Sequence, residues 1–404
     1  MSPSPVSQEL AALLGDLVRI KSHSGEEGAV QAFIARWFED NGIPARIEPA
    51  AGGLTNVVAE VSGGVPGPTL FIGGHCDTVT PPDDWSMDPY TPVIREGRLY
   101  GVGAMDMKSG LATAMHAVRD LARRPGDWAG RVIFAALADE EAYSRGARGY
   151  LEQGHLEQGH LEQGHLEQGH LEQGLAIDAA IMCEPHFDIP SIAAMGKINL
   201  KVVVTGRSAH GSHPADGVNA VTEAARLLVA IDGLARPTHP EFGTSTHCVL
   251  NVSSGTGVYE IRVPDRCEFL INWHFLPTET AEEAVAAIEA LARDLHSPAR
   301  FDVTIAQPRY DSFVMDKDHP FVTAFAESYQ RILGKAPPFT FCFGVSDANI
   351  FNGAGIPTLL FGPGGANMHA ADEWADLSQM EKARAVYLDF AEHFLVAPTQ
   401  RTAS

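Results

Sequence analysis

The chain has 404 residues, a formal net charge of −22 at neutral pH, 45% hydrophobic residues and 20% charged residues. That length exceeds what a single hydrophobic core supports and implies more than one compact domain, while the composition is that of an ordinary α/β globular protein. The acidic balance argues against nucleic acid or an anionic membrane surface as a principal partner.

No stretch reads as a membrane span, and the opening MSPSPVSQEL has neither the basic start nor the apolar run of a secretory signal. Five cysteines (76, 183, 248, 267 and 342) are scattered and odd in number, which fits unpaired thiols in a reducing compartment. A cytoplasmic enzyme is the expectation.

From the N-terminus, QELAALLGDLVRI and EEGAVQAFIARWFEDNG carry apolar residues at helical spacing, the second stopping at Asn-Gly. TNVVAEV and TLFIGGH then read as strands, GLATAMHAVRDLARR as a helix, RVIFAAL as a strand buried on both faces, and AAIMCEP as another strand. This alternation predicts an α/β fold, a mainly parallel sheet with helices on both faces and its site beyond the carboxyl ends of the strands. Near Ile189 the texture changes. INLKVVVTG and RCEFLINWHFL are strand-like, GVNAVTEAARLLVAI and AEEAVAAIEALARDL helical, and together they predict an inserted α+β domain over 189–307. The αβ pattern returns in HPFVTAFAESYQRIL, IPTLLFG and EKARAVYLDFAEHFL, so a first domain of 1–188 and 308–404 is interrupted and then completed.

Between Leu151 and Gly174 the sequence is five tandem units of LEQGH, the last without its histidine. Five is not a helical, coiled-coil or strand period, and a glycine in every unit weakens a helix. His155, His160, His165 and His170 could bind metal loosely. The plainer reading is a tandem expansion, looped out or extending a surface helix, with no chemistry of its own.

Chemistry gathers elsewhere. In LFIGGHCDTV, His75 and Asp77 are two apart, so on a strand their side chains share a face, as a ligating histidine and its orienting carboxylate do. Asp106 lies in a glycine-rich loop before a helix (GVGAMDMKSG), Glu140 and Glu141 end the strand RVIFAALA, Glu184 ends AAIMCEP, and His369 lies in the glycine loop GPGGANMHAADEW. Taken singly, each has an ordinary reading as a cap, a surface acid or a loop histidine. Jointly they stand where an α/β sheet presents its site, and nitrogen and carboxylate donors without cysteine suit Zn²⁺, or Co²⁺ and Mn²⁺ in its place. Two divalent ions use all the donors: His75 and Glu184 could hold one, Glu141 and His369 the other, with Asp106 bridging.

In order, GGHCDTV, GVGAMDMKSG, ADEE, CEP, GRSAHGSHPADGVNAV, GVSDANIF and MHAADEW resemble the dizinc amidohydrolase and exopeptidase family of acetylornithine deacetylase, succinyl-diaminopimelate desuccinylase, aminoacylase and carboxypeptidase G. The matching pieces span nearly the whole chain. The resemblance implies His75, Asp106, Glu141, Glu184 and His369 as ligands of two ions, Asp77 as the orienter of His75, and Glu140 as the general base. It also implies that the inserted domain is a lid that forms a homodimer, and that His210 of GRSAHGSHP stabilises the tetrahedral oxyanion.

The chain departs from the family where substrate is held. Ile261 stands where an Asn is frequent, Asn272 and His274 where Asp-x-Arg is frequent, and Val102 where an Arg is frequent. Arg262 is a candidate replacement or a surface charge. The expected activity is deacylation of a small N-acyl amino acid. A dipeptidase or carboxypeptidase of the same family is the alternative, and the carbamoyl-amide branch fits the Asp106 loop less well. A non-catalytic relative would lose ligands or the base, and metal buffering by the LEQGH tract would make metal content depend on that tract.

Overall fold

The structure is a computed structural model and describes residues 4–153 and 177–396. From residue 154 onward the LEQGH tract lies outside the described residues, with its four histidines and the loop or helical extension expected there. Among the described residues no helix is long and apolar enough to cross a membrane.

The chain divides into two compact units, Met1–Ala193 with Met315–Thr340 and Ser346–Ser404, and Ala194–Val314 with Phe341–Val345. In the first, the sheet runs in the order Ala45–Pro49, Thr55–Ser62, Arg131–Leu137, Thr69–His75, Ala179–Met182, Thr358–Leu360, Ser191–Ala194. Its centre, from Arg131–Leu137 to Thr358–Leu360, is parallel. Strands of this kind are covered on both faces, and Thr69–His75 is buried at every position. On one face Phe71 meets Tyr150 and Phe351, with ring centroids 5.7 and 4.8 Å away. On the other, Phe134 packs on Phe38 of the helix Gly28–Asp40 at 4.8 Å.

A small second sheet belongs to the same unit and was not expected from the sequence. It runs Gly365–Ala366, Trp374–Asp376, Arg98–Tyr100, Val93–Arg95, all antiparallel. Strands of two or three residues carry too few positions to show a period of two.

The second unit is a four-stranded antiparallel sheet in the order Thr246–Ser254, Arg266–Phe275, Gly196–Thr205, Arg300–Tyr310. Alternate residues of Arg266–Phe275, from Cys267 to Phe275, point into a core shared with the helices Ala220–Asp232 and Ala281–Asp294. Ser191–Ala194 pairs with Thr358–Leu360, which keeps the chain in the first unit to Ala193, and Arg300–Tyr310 carries the second past Pro308.

One contact ties the fold to the site. The helix Ser109–Ala122 lies so close to the end of Ala179–Met182 that a Cβ at Gly110 would collide with the Cys183 carbonyl oxygen. Gly110→Ala should therefore cost about 1–3 kcal/mol through overpacking. Urea unfolding of the metal-free chain checks this, and an unchanged midpoint would mean the strand end is not seated under that helix.

Candidate metal centre

His75 ends its strand at 1% exposure. Its Nδ1–H donates to the Asp77 carbonyl at 3.0 Å and lies 3.6 Å from Asp77 Oδ1. That fixes the ring and aims Nε2 at Asp106 Oδ1, 3.1 Å away, and Glu184 Oε1, 3.9 Å away. In the metal-free chain burial opposes a charge on His75, but its hydrogen bonds to Asp106 and Asp77 hold it well above its usual range, so Nε2 carries a proton that a metal ion would replace. The Asp77 carboxylate itself accepts from Ser24 Oγ and from the backbone N–H groups of Glu140 and Glu141, at 2.7, 3.1 and 3.1 Å. Asp77 thus holds the turn that carries the paired glutamates as much as it orients His75.

That turn follows Arg131–Leu137. Asp139 sits at φ 68° with a bidentate ion pair to Arg145, at 2.6 and 2.8 Å. The N–H groups of Tyr143 and Ser144 close back on its carbonyl. Glu140 and Glu141 are thereby aimed together past the strand end. The Glu141 Oε1 is 3.0 Å from His369 Nε2, and the same nitrogen is 3.1 Å from Asp106 Oδ2. His369 rides on the hairpin loop between Gly365–Ala366 and Trp374–Asp376 with φ 56°. Asn367 braces this loop by donating to the Ala371 and Asp372 carbonyls, and Asp372 accepts from the N–H and hydroxyl of Ser86.

The first unit therefore brings seven of the expected residues together: His75, Asp77, Asp106, Glu140, Glu141, Glu184 and His369. Three sets of potential donors lie within 4.8 Å of one another: His75, Asp106 and Glu184; Asp106, Glu141 and His369; and His75, Glu140 and Glu141. Asp106 is common to the first two. His210 belongs to the second unit, where its exposed ring contacts Ser212 Oγ at 2.7 Å and accepts from Ser212 N–H at Nδ1. In that unit Arg262 pairs with Glu260 at 3.0 Å as a surface charge, and Asn272 donates to Asn199.

Sequence reasoning missed Glu373. Buried at 2% exposure, it accepts backbone N–H bonds from Gly103, Met105 and Asp106 at 2.8, 2.8 and 3.0 Å. Its letter was visible in HAADEW, but nothing local indicates a partner some 270 residues back. Asp347 of GVSDANIF was also left without a role. It is buried, and its charge reaches Glu140 and Glu184.

Crowding shows in the proton affinities. Burial, reinforced by Asp106, Asp347 and Glu141 against the pull of His75, pushes Glu184 up to about 8. Burial likewise holds Glu140 well above the usual carboxylate range, with Glu184, Asp347 and Glu141 adding to it. Burial alone would raise Asp106, but hydrogen bonds from His369 and His75 hold it well below that range. Asp106 and Glu141 in turn lift His369 to about 10. Buried carboxylates that outnumber the imidazoles beside them, all offering oxygen or nitrogen, are the donor set a pair of divalent cations fits.

Residues 71–393 match Peptidase family M20/M25/M40. A succinyl-diaminopimelate desuccinylase from Sulfurovum sp. (strain NBC37-1) is 28% identical over 334 residues, 81% of this chain and 84% of that protein. An acetylornithine deacetylase from Shigella sonnei (strain Ss046) is 29% identical over 378 residues, 89% of each. Among solved structures, a tripeptidase from Staphylococcus aureus subsp. aureus Mu50 is similar in fold at a TM-score of 0.72 and 20% identity, over 96% of this chain and 98% of that one. A dinuclear metal-binding peptidase of the M20 family from Bacillus subtilis gives 0.72 at 18% identity, over the same shares, 96% and 98%.

The raised groups set a pH dependence for the metal-free chain. Glu184 moves from 4.5 to about 8 and His369 from 6.5 to about 10, so the folded chain binds more protons than the unfolded one between pH 6.5 and 8. Stability falls with rising pH wherever that holds. His116, a buried imidazole lowered to about 4, opposes this towards pH 6.5, and Lys108, lowered to about 8 by burial, opposes it towards pH 8, but Glu184 and His369 together outweigh them. The melting temperature of the chelated protein should drop from pH 6.5 to 8, and saturating divalent metal should remove the drop. A melting temperature that climbs over that window would contradict this charge balance.

Proposed function

The chain belongs to peptidase family M20/M25/M40, and from that premise we propose that it deacylates a small N-acyl amino acid at a two-metal site. As a member of that family it is a metal-dependent hydrolase of amide bonds. The observation that carries the two-metal reading is Asp106, whose two oxygens each lie 3.1 Å from a different imidazole, His75 and His369. A carboxylate so placed can serve two ions, with Glu184 completing the His75 side and Glu141 the His369 side. The names of the two curated relatives, a desuccinylase and a deacetylase, favour deacylation over peptide cleavage.

Two Zn²⁺ ions, with Co²⁺ or Mn²⁺ as substitutes, would polarise the scissile carbonyl and lower the pKa of the attacking water. The protein's own groups do the rest. Asp77 and the Asp77 carbonyl keep His75 in one tautomer. Glu140 takes the proton of the attacking water and hands it to the leaving amine. His210 donates to the oxyanion that forms on the former carbonyl. The second unit forms the homodimer. Its outer strand Thr246–Ser254 exposes Leu250 and Val252, at 56% and 50%, along an edge that favours pairing with a second copy.

A panel of N-acyl amino acids and dipeptides, scored by released amine, tests the activity after chelation and again after zinc or cobalt is restored. Activity should vanish with the metal and return with it. Glu140→Gln should lower turnover by about 10²–10⁴-fold while metal content stays at two per chain. A preference for dipeptides would replace the deacylase reading, and a wild-type chain with no stoichiometric metal would end the metal reading. In sedimentation, Leu250→Lys with Val252→Lys should convert a dimer into monomers.

A further inference from the structure

The four-stranded ribbon of the first unit carries two of the site's loops. Its Gly365–Ala366 and Trp374–Asp376 strands are joined by the loop with His369, and Trp374–Asp376 pairs with Arg98–Tyr100, whose continuation is the loop with Asp106. Glu373 is the residue at which these two loops diverge. Its backbone carbonyl accepts from Gly101 N–H at 3.0 Å, so the ribbon pairing runs up to the fork. Beyond it, the side chain replaces strand pairing. Oε2 accepts from Gly103, and Oε1 accepts from both Met105 and Asp106. The Asp106 backbone is thus pinned at its own nitrogen and by neighbours on one side, and from that fixed point its carboxylate reaches His75 and His369.

We infer that Glu373 is a positioning residue for the bridging carboxylate: it sets Asp106 astride the two ion positions and locks the Asp106 loop to the His369 loop. The inference rests on the two-metal reading above. Glu373 is not itself a ligand, because both its oxygens are committed to backbone N–H groups and it lies in none of the donor sets. A carboxylate is needed because all three facing groups are donors. A carboxamide at this position would keep one accepting oxygen and turn an NH₂ towards another N–H, so part of the loop would be pushed off the fork. The amide orientation that loses least keeps its oxygen on Met105 and Asp106 and turns the NH₂ against Gly103 N–H, so the loop is pushed off the fork at Gly103, three residues before the Asp106 that both ion positions share.

The test uses the full chain and its Glu373→Gln and Glu373→Asp variants, stripped by chelator and titrated with Zn²⁺ and with Co²⁺. The readouts are metal stoichiometry and affinity, the visible ligand-field spectrum of the Co²⁺ form, and melting of the metal-free form. Glu373→Gln should bind at least one ion about 10–100-fold more weakly, the range for losing a residue that orients a ligand. Its Co²⁺ spectrum should change while the metal-free melting temperature shifts by only a few degrees. Glu373→Asp, which keeps two accepting oxygens, should recover most of the affinity. Wild-type affinity and spectrum in the Gln variant would overturn the inference. So would collapse of the metal-free fold in both variants, which would make Glu373 a scaffold residue only. A wild-type chain without stoichiometric metal sinks the two-metal reading instead, whereas two ions in wild type and an unchanged Gln variant sink this inference alone.

Discussion

Everything at the site depends on a crowding of charge that few folds tolerate. Asp106 meets an imidazole on each oxygen, and Glu140, Glu141 and Glu184 share the same small volume. Taking one carboxylate out of water is expensive, and clustering several is worse unless cations or protons compensate. In the metal-free chain protons do so, on His75, His369, Glu140 and Glu184. Divalent ions and protons are then alternatives for one site. The sheet makes the crowding possible by ending parallel strands side by side: His75, Glu184 and the Glu140–Glu141 turn follow three adjacent strands, and none of these residues interrupts a strand's own hydrogen bonds.

Much of this could be read from the sequence because the relevant signals are local. TLFIGGH, RVIFAAL and AAIMCEP are short apolar runs that end in or within three residues of an imidazole or carboxylate, and a buried strand that ends so points to a site whatever surrounds it. What the sequence hid was non-local. The ribbon holding the His369 and Asp106 loops is made of strands of two or three residues, below the length at which alternation is visible. Glu373 reads as one more acid in a loop, since its meaning lies in three N–H groups far back in the chain. Asp77 was legible as a partner of His75 because the two are only two residues apart in sequence, although the strand ends at His75 and Asp77 lies just beyond it. Its grip on the Glu140–Glu141 turn spans more than sixty residues and was not.

Substrate selection follows a different logic from the metal chemistry. At the positions where the family resemblance leads one to expect groups that grip a substrate carboxylate, the second unit offers Asn272, which is engaged with Asn199, and His274, an imidazole whose burial lowers its proton affinity. Arg262 is occupied by Glu260 at the surface. A neutral amide and a largely neutral imidazole select by hydrogen bonding and shape, where a guanidinium would select by charge.

The buried acids around the site fall into two kinds, and the difference lies in what satisfies them. Asp77, Glu373 and Glu27 accept from backbone N–H groups: Asp77 from the Glu140 and Glu141 turn, Glu373 from the Asp106 loop, and Glu27 from Gly25 and Asp139. Their oxygens are spent on holding chain segments in place. Asp106, Glu141 and Glu184 instead turn oxygens towards the two imidazoles, at 3.0 to 3.9 Å. The first kind builds a cradle tied together by backbone N–H groups, which oppose the effect of burial without cancelling it: burial still pushes Glu373 up to about 7 and raises Glu27. The charge of the second kind is answered by the two imidazoles at Asp106, by a proton at Glu184, or by metal ions. A site whose frame is tied by backbone and whose interior takes either protons or metal ions can lose its ions without losing its geometry, and it is therefore ready to take them up again.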